Sequence, residues 1–187
     1  NYRLNQVANS LKGLGIQPNQ HIAILARNSI NYATLFLGGL RAGICIVPLS
    51  TLASGKSLAG MINDSEAKLL FVSDDYRDLI DPVEQQLTGL LPNGLLRLEA
   101  LEEFIVDASA EAVDIEPDLD WGFNLIYSSG TTGTPKGILQ NRRYRAIESQ
   151  VMKGLGFNEN SRGLIATPLY SNTTLFFFMA ILANGGS

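Results

Sequence analysis

Cysteine and histidine are almost absent: the 187 residues hold one of each, Cys45 and His21. No internal disulfide can form, and a histidine-rich metal site is excluded. Basic residues are outnumbered, 14 against 18 acids, for a net charge of −4. A nucleic-acid surface carries a basic patch or stripe, so that class of partner is not expected. Long apolar runs are missing too. Residues 163–187 carry no charge, but Pro168 and Ser171-Asn172-Thr173-Thr174 interrupt them, and the longest unbroken apolar run, Leu175–Ala183, is nine residues. A spanning helix needs roughly 17–25, so no membrane span is expected. The first residues, Asn1-Tyr2-Arg3-Leu4-Asn5, lack the basic-then-apolar order of a secretory signal. With 45% hydrophobic and 17% charged residues, intrinsic disorder is excluded. The composition fits an ordinary soluble enzyme or enzyme fragment, expected in the cytoplasm.

What is present alternates in period. Leu4, Val7, Ala8, Leu11 and Leu14 have the spacing of an amphipathic helix, stopped by Gly13 and Gly15. Ile22–Ala26, Ile44–Val47 and Leu69–Val72 are short continuous apolar runs, the pattern of strands covered on both faces. Helices are expected between them: one capped by Asn28 or Ser29 and running to Arg41, one near Lys56–Asn63, and one beginning at Ser73-Asp74-Asp75. Further on, Phe123–Tyr127 and Leu164–Thr167 are expected as strands, with helices over about Asn141–Leu155 and Thr173–Ala183. Strand and helix alternate, which predicts an α/β fold: a mostly parallel sheet with helices on both faces. Nine of the eighteen acids fall in residues 99–120, and no basic residue lies between Arg97 and Lys136. That stretch reads as a helix with Leu98, Leu101 and Ile105 inward, then an exposed linker over 107–120. It has no metal-ligand spacing, so no metal residues are assigned.

One segment carries chemistry. Ser128-Ser129-Gly130-Thr131-Thr132-Gly133-Thr134-Pro135-Lys136-Gly137 follows the Phe123–Tyr127 strand. Its glycines let backbone N–H groups approach an anion. The hydroxyls of Ser128, Ser129, Thr131, Thr132 and Thr134 can donate to phosphate oxygens. Lys136 adds a compact charge on a long stem. A setting between strand and helix is expected to aim oriented amides at the same anion. Pro135 before Lys136 and Gly137 after it differ from a P-loop, which ends Gly-Lys-Ser/Thr.

Tyr127–Gly137, YSSGTTGTPKG, resembles the signature loop of the adenylate-forming superfamily: acyl-CoA synthetases, luciferases and peptide-synthetase adenylation domains. The usual form is Y-T-S-G-T-T-G-x-P-K-G, with Ser128 here in place of Thr. The likeness extends over the chain, through Asn5–Gly15, His21–Leu25 with Asn28-Ser29, Arg41-Ala42-Gly43 leading to Val47-Pro48-Leu49, and Thr167-Pro168-Leu169-Tyr170. Two positions depart from the family's habit: Ser171 stands where a His is common, and Asn141-Arg142-Arg143 where His-Arg-Asn is common. The resemblance implies the large N-terminal domain of an acyl-CoA synthetase, incomplete over residues 1–187, with the remaining subdomains and a small C-terminal domain absent. It implies ATP-dependent activation of a carboxylic acid, fatty or aryl, as the acyl-adenylate, with transfer to coenzyme A and magnesium on ATP's phosphates. In that reading Lys136 is catalytic, residues 128–134 and Lys136 bind the nucleotide, and Tyr170 and Ser171 meet the acid. Such a fragment is expected to be inactive alone and to self-associate through its apolar tail. A nucleotide- or phosphate-binding module without turnover, and an adenylation domain that loads a carrier protein, remain as alternatives.

Other reactive residues read as structural. His21 opens a strand without a visible partner, and Cys45 lies mid-strand between Ile44 and Ile46. Trp121 is expected to anchor the start of the loop's strand. The cluster Arg142-Arg143-Tyr144-Arg145 reads as a solvated helix face, with CoA phosphates as the alternative.

Overall fold

In a computed structural model of the chain, residues 1–128 and 135–187 are described. Six strands form one sheet in the order β4-β3-β1-β2-β5-β6. They are β1 (His21–Leu25), β2 (Cys45–Pro48), β3 (Leu69–Val72), β4 (Leu95–Arg97), β5 (Gly122–Ser128) and β6 (Lys136–Asn141). All neighbours run parallel except β5 and β6, which pair antiparallel. Among the described residues seven α-helices surround them: α1 (Tyr2–Gly13), α2 (Ile30–Arg41), α3 (Gly55–Asp64), α4 (Arg77–Ile80), α5 (Leu101–Ile105), α6 (Arg142–Gly154) and α7 (Asn172–Ala183).

The apolar runs become two-faced strands because both faces are covered. Ile22, Ile24, Ile44, Ile46, Leu69 and Phe71 point to one side, where α1, α2 and α5 supply Val7, Leu11, Leu35, Phe36, Leu101 and Ile105. Their neighbours Ala23, Leu25, Cys45, Val47, Leu70 and Val72 point to the other, onto Leu58, Met61 and Ile62 of α3 and Ile80 of α4. Side chains alternate across a strand, so a run without polar residues fills both layers. Each large aliphatic group buried in this way contributes about 1.5–3 kcal/mol. Helix ends follow local chemistry. Ser29, not Asn28, caps α2, accepting from the Tyr32 amide at 3.0 Å. The exposed acidic linker is held down by α1, where Asn5 and Asn9 donate to the carbonyls of Ala110, Ser109 and Glu111 at 2.7–2.9 Å.

Two expectations about elements are corrected. Residues 136–141 form β6, so the Ser/Thr/Gly segment joins two strands of a hairpin rather than a strand to a helix. The next helix begins only at Arg142, and its N-terminal amides do not belong to that segment. Residues 164–167 form no strand. A strand exists only by pairing, and Leu164, 91% exposed, has no ladder partner among the described residues. The tail helix α7 buries Thr174, Leu175, Ala180 and Ile181 but leaves Phe177 and Leu182 exposed, so it is covered on one side only.

The first four strands meet the hairpin where β2 runs beside β5, with Ile46 opposite Asn124. Gly122 permits the approach: a Cβ there would lie 2.8 Å from Cys45 Sγ. The Asn19 side chain accepts from the Gly122 amide at 2.8 Å. Trp121 sits over Gly43, where the φ of +77° favours glycine and a Cβ would lie 3.1 Å from the indole. Trp121 therefore anchors the start of β5, as the sequence suggests.

Burial pushes the Cys45 thiol up to about 12 from its ordinary 9.0. The folded chain keeps this proton after the unfolded chain has lost it. The contribution is complete below pH 9, and is lost as pH rises from about 9 toward 12. Urea melts at pH 8 to 11 should show wild type losing stability faster than Cys45→Ala. Parallel loss in the two proteins would mean that the thiol is not buried.

Candidate nucleotide and acid site

The carboxyl ends of the parallel strands share one edge, the side on which open α/β sheets bind ligands. Ser128 ends β5 there, exposed and paired across the hairpin with Lys136, the exposed first residue of β6. Residues Ser129, Gly130, Thr131, Thr132, Gly133 and Thr134 lie outside the described residues. The two described ends of the segment thus emerge side by side at this edge, with Lys136 beside a hydroxyl. Tyr127, one residue back, is pinned to α3, its hydroxyl 2.6 Å from Asp64 Oδ2 and 3.0 Å from the Met61 carbonyl oxygen. Burial first, then the Asp64 carboxylate, push this phenol above its ordinary range. A cavity of about 580 Å³ opens between Tyr127, Pro135 and the α3 side chains Lys56, Ser57, Met61 and Asp64.

Tyr170 and Ser171 occupy the same edge by another route. Asn28, in the turn between β1 and α2, donates to the Thr167 carbonyl and accepts from the Leu169 amide, both at 2.8 Å. That clamp lays residues 167–170 over the carboxyl ends of β1 and β2. Tyr170 is half-buried and lines a cavity of about 320 Å³ with Arg27, Asn28, Thr51, Ala166, Thr167 and Pro168. Ser171 is half-buried and occupies the N-cap position of α7. Near Tyr170 the Tyr32 hydroxyl is wholly buried and unpaired among the described residues, and burial, then Tyr170, push its pKa up. The clamping role of Asn28 is one that sequence reasoning missed, having considered the residue as a helix cap and as part of the family likeness. No local signal distinguishes a cap from a clamp that reaches 139 residues along the chain.

The arginine cluster is not one solvated face. Arg143 is exposed and paired with Asp120 at 3.0 Å. Arg142 is half-buried and donates to the Leu40 carbonyl at 3.0 Å, and burial lowers its pKa. Arg145 is buried, 5% exposed. His21 is structural, its ring Nδ1 against the Ser65 carbonyl. Among the described residues no group of three or more His, Cys, Asp or Glu side chains could hold a metal ion. No helix among them is long and apolar enough to cross a membrane.

Comparison with known proteins adds to this geometry. A family model described as AMP-binding enzyme matches residues 1–187. The long-chain-fatty-acid–CoA ligase FadD13 of Mycobacterium tuberculosis is 29% identical over 181 residues, covering 92% of this chain and 35% of the ligase. The fatty acid–acyl-carrier-protein ligase ScoC of Streptomyces coeruleorubidus is 28% identical over 148 residues, 76% of this chain and 27% of that protein. The chain thus spans about a third of the length of these curated relatives. The crystal structure of ATP-bound MatB from Rhodopseudomonas palustris superposes with a TM-score of 0.85 at 26% identity, over 100% of this chain and 38% of that one.

Proposed function

The chain belongs to the AMP-binding enzyme family, and from that premise we propose that the protein it forms part of activates a carboxylic acid with ATP. The observation that carries this reading is the Ser/Thr/Gly segment, whose described ends, Ser128 and Lys136, lie paired at the carboxyl edge of the sheet. A carboxylate oxygen attacks ATP's α-phosphorus, the bond to the bridging oxygen of pyrophosphate breaks, and the acyl-adenylate forms. Lys136 and the hydroxyls and amides of residues 128–134 meet the negative charge that gathers on the departing pyrophosphate. Donors fixed in advance at such a charge are worth on the order of 3–4 kcal/mol each. Tyr170 and Ser171 line the place of the acid, which a half-buried aromatic suits to a fatty or aryl chain. Magnesium enters this proposal only as the counter-ion of ATP's phosphates.

The acceptor is coenzyme A, whose thiol displaces AMP to give the thioester. The similarity to FadD13, a CoA ligase, supports this choice, and the similarity to ScoC keeps a carrier protein as the second reading. The chain's share of its relatives' length supports two further parts of the proposal. It is the N-terminal portion of the enzyme, and alone it does not turn over. Exposed Phe177 and Leu182 on the tail helix support self-association of the isolated chain through its tail, and exposed Tyr144, Ile147 and Val151 of α6 add apolar surface.

The test is acid-dependent exchange of labelled pyrophosphate into ATP by the full-length enzyme, with a panel of fatty and aryl acids. Exchange that needs the acid but no thiol is the expected result. Its absence with every acid, despite ATP binding, would favour a nucleotide-binding module.

A further inference from the structure

Arg145 holds four elements together at once. Its side chain is 4% exposed and its Nη1 meets Glu148 Oε2 at 2.7 Å, within α6. Nε and Nη2 donate to Asn124 Oδ1 of β5 at 3.2 and 2.9 Å. Nη2 also reaches Gln140 Oε1 of β6, and Asn172 Oδ1 of α7 at 2.8 Å. The same Gln140 oxygen accepts from Asn124 Nδ2 at 2.9 Å, and the Phe123 ring lies 5.7 Å from the guanidinium carbon. A buried guanidinium is tolerated only when its donors are met, and a well-packed apolar group would often be no less stable. A network of this kind is weak evidence for stability alone. Its geometric role follows from what it joins: β5 and β6 form the hairpin that carries residues 129–134, and Asn172 directly follows Tyr170 and Ser171.

We propose that Arg145 is a positioning residue that fixes the Tyr170–Ser171 segment relative to the hairpin bearing the nucleotide segment. This rests on the function proposed above. The planar fork matters, because its nitrogens address oxygens in different directions and an ammonium presents no such frame. Asn172 is the spoke toward the acid, and Gln140 and Asn124 are the spokes toward the nucleotide.

The full-length enzyme tests this through acid-dependent pyrophosphate exchange, with KM measured separately for acid and for ATP, alongside melting curves. Asn172→Ala cuts one spoke at an exposed residue. It should raise the KM for the acid about tenfold, the worth of a hydrogen bond to a charged group, while the KM for ATP and the melting point stay near wild type. Arg145→Lys should raise both KM values. An unchanged acid KM in Asn172→Ala overturns the proposal. So does a rise in both KM values of Asn172→Ala that tracks a lowered melting point, since that marks a merely structural contact. If Arg145→Lys does not fold, Asn172→Ala alone decides. Lack of exchange in the unaltered enzyme would remove the proposed function and this inference together. Normal exchange with Asn172→Ala at wild-type values would remove only this one.

Discussion

Replacing Lys136 with alanine in the full-length enzyme should slow acid-dependent pyrophosphate exchange about 30- to 1000-fold, the equivalent of roughly 2–4 kcal/mol of barrier. Folding should hardly notice. Lys136 is an exposed side chain at the first position of β6, opposite the equally exposed Ser128. Truncations at such surface positions stay within about 0.5 kcal/mol. Its charge acts only where phosphate oxygens arrive. Arginine at 136 should recover part of the rate, because its fork does not reproduce a compact ammonium. Exchange assays beside melting curves separate the two quantities. Wild-type exchange in Lys136→Ala would mean that Lys136 meets no phosphate, and the reading of the segment would lose its main support.

The opposite profile is expected deep in the sheet. Phe36→Ala should cost about 3–5 kcal/mol of stability. Phe36 is 0% exposed and lies between two other rings. Tyr32 stacks on it at 6.4 Å, with the planes 14° apart, and Phe123 meets its edge at 6.3 Å. The side chain therefore ties α2 to β5, and its loss leaves a cavity at the junction of two elements. At about 2–4 °C per kcal/mol, a thermal scan should show a fall of roughly 6–20 °C. A fall of less than about 2 °C would place the load of this core elsewhere.

Much of this architecture is legible in the amino-acid sequence. β1, β2 and β3 announce themselves as apolar runs because helices cover both faces, so each residue of the run has somewhere to be buried. α2 declares its start through a serine hydroxyl, an entirely local device. β6 did not, for a physical reason. It is an edge strand with Ile138 and Leu139 about half exposed, so it has no buried face to impose an alternating pattern. The residues 164–167 misled in the other direction, being apolar enough for a strand yet given no partner. At the site, the spacing of glycines, hydroxyls and lysine marked the segment without help. Asn28 and Arg145 were hidden because their roles depend on partners reached through the fold: Thr167 and Leu169 for one, and Asn124, Gln140 and Asn172 for the other.

At the join of β2 and β5 one ladder pair is reinforced by side chains: Phe36 against Phe123, the Asn19 side chain on the Gly122 amide, and the Tyr127 hydroxyl on α3. The parallel block β4-β3-β1-β2 is knitted by consecutive register pairs, whereas the hairpin with α6 and α7 meets it with Ile46 opposite Asn124. Regions of a protein open separately, at a free energy below that of global unfolding, where local burial is low; β6 and much of α6 are exposed, whereas β1 and β3 are buried. The amides of β6 and α6 should therefore exchange before those of β1 and β3. Cys45 stands at that boundary, under Gly122. Because the chain has no other thiol, the rate at which a thiol reagent modifies it is a clock for the parting of block and hairpin. A ligand that grips both should slow that clock.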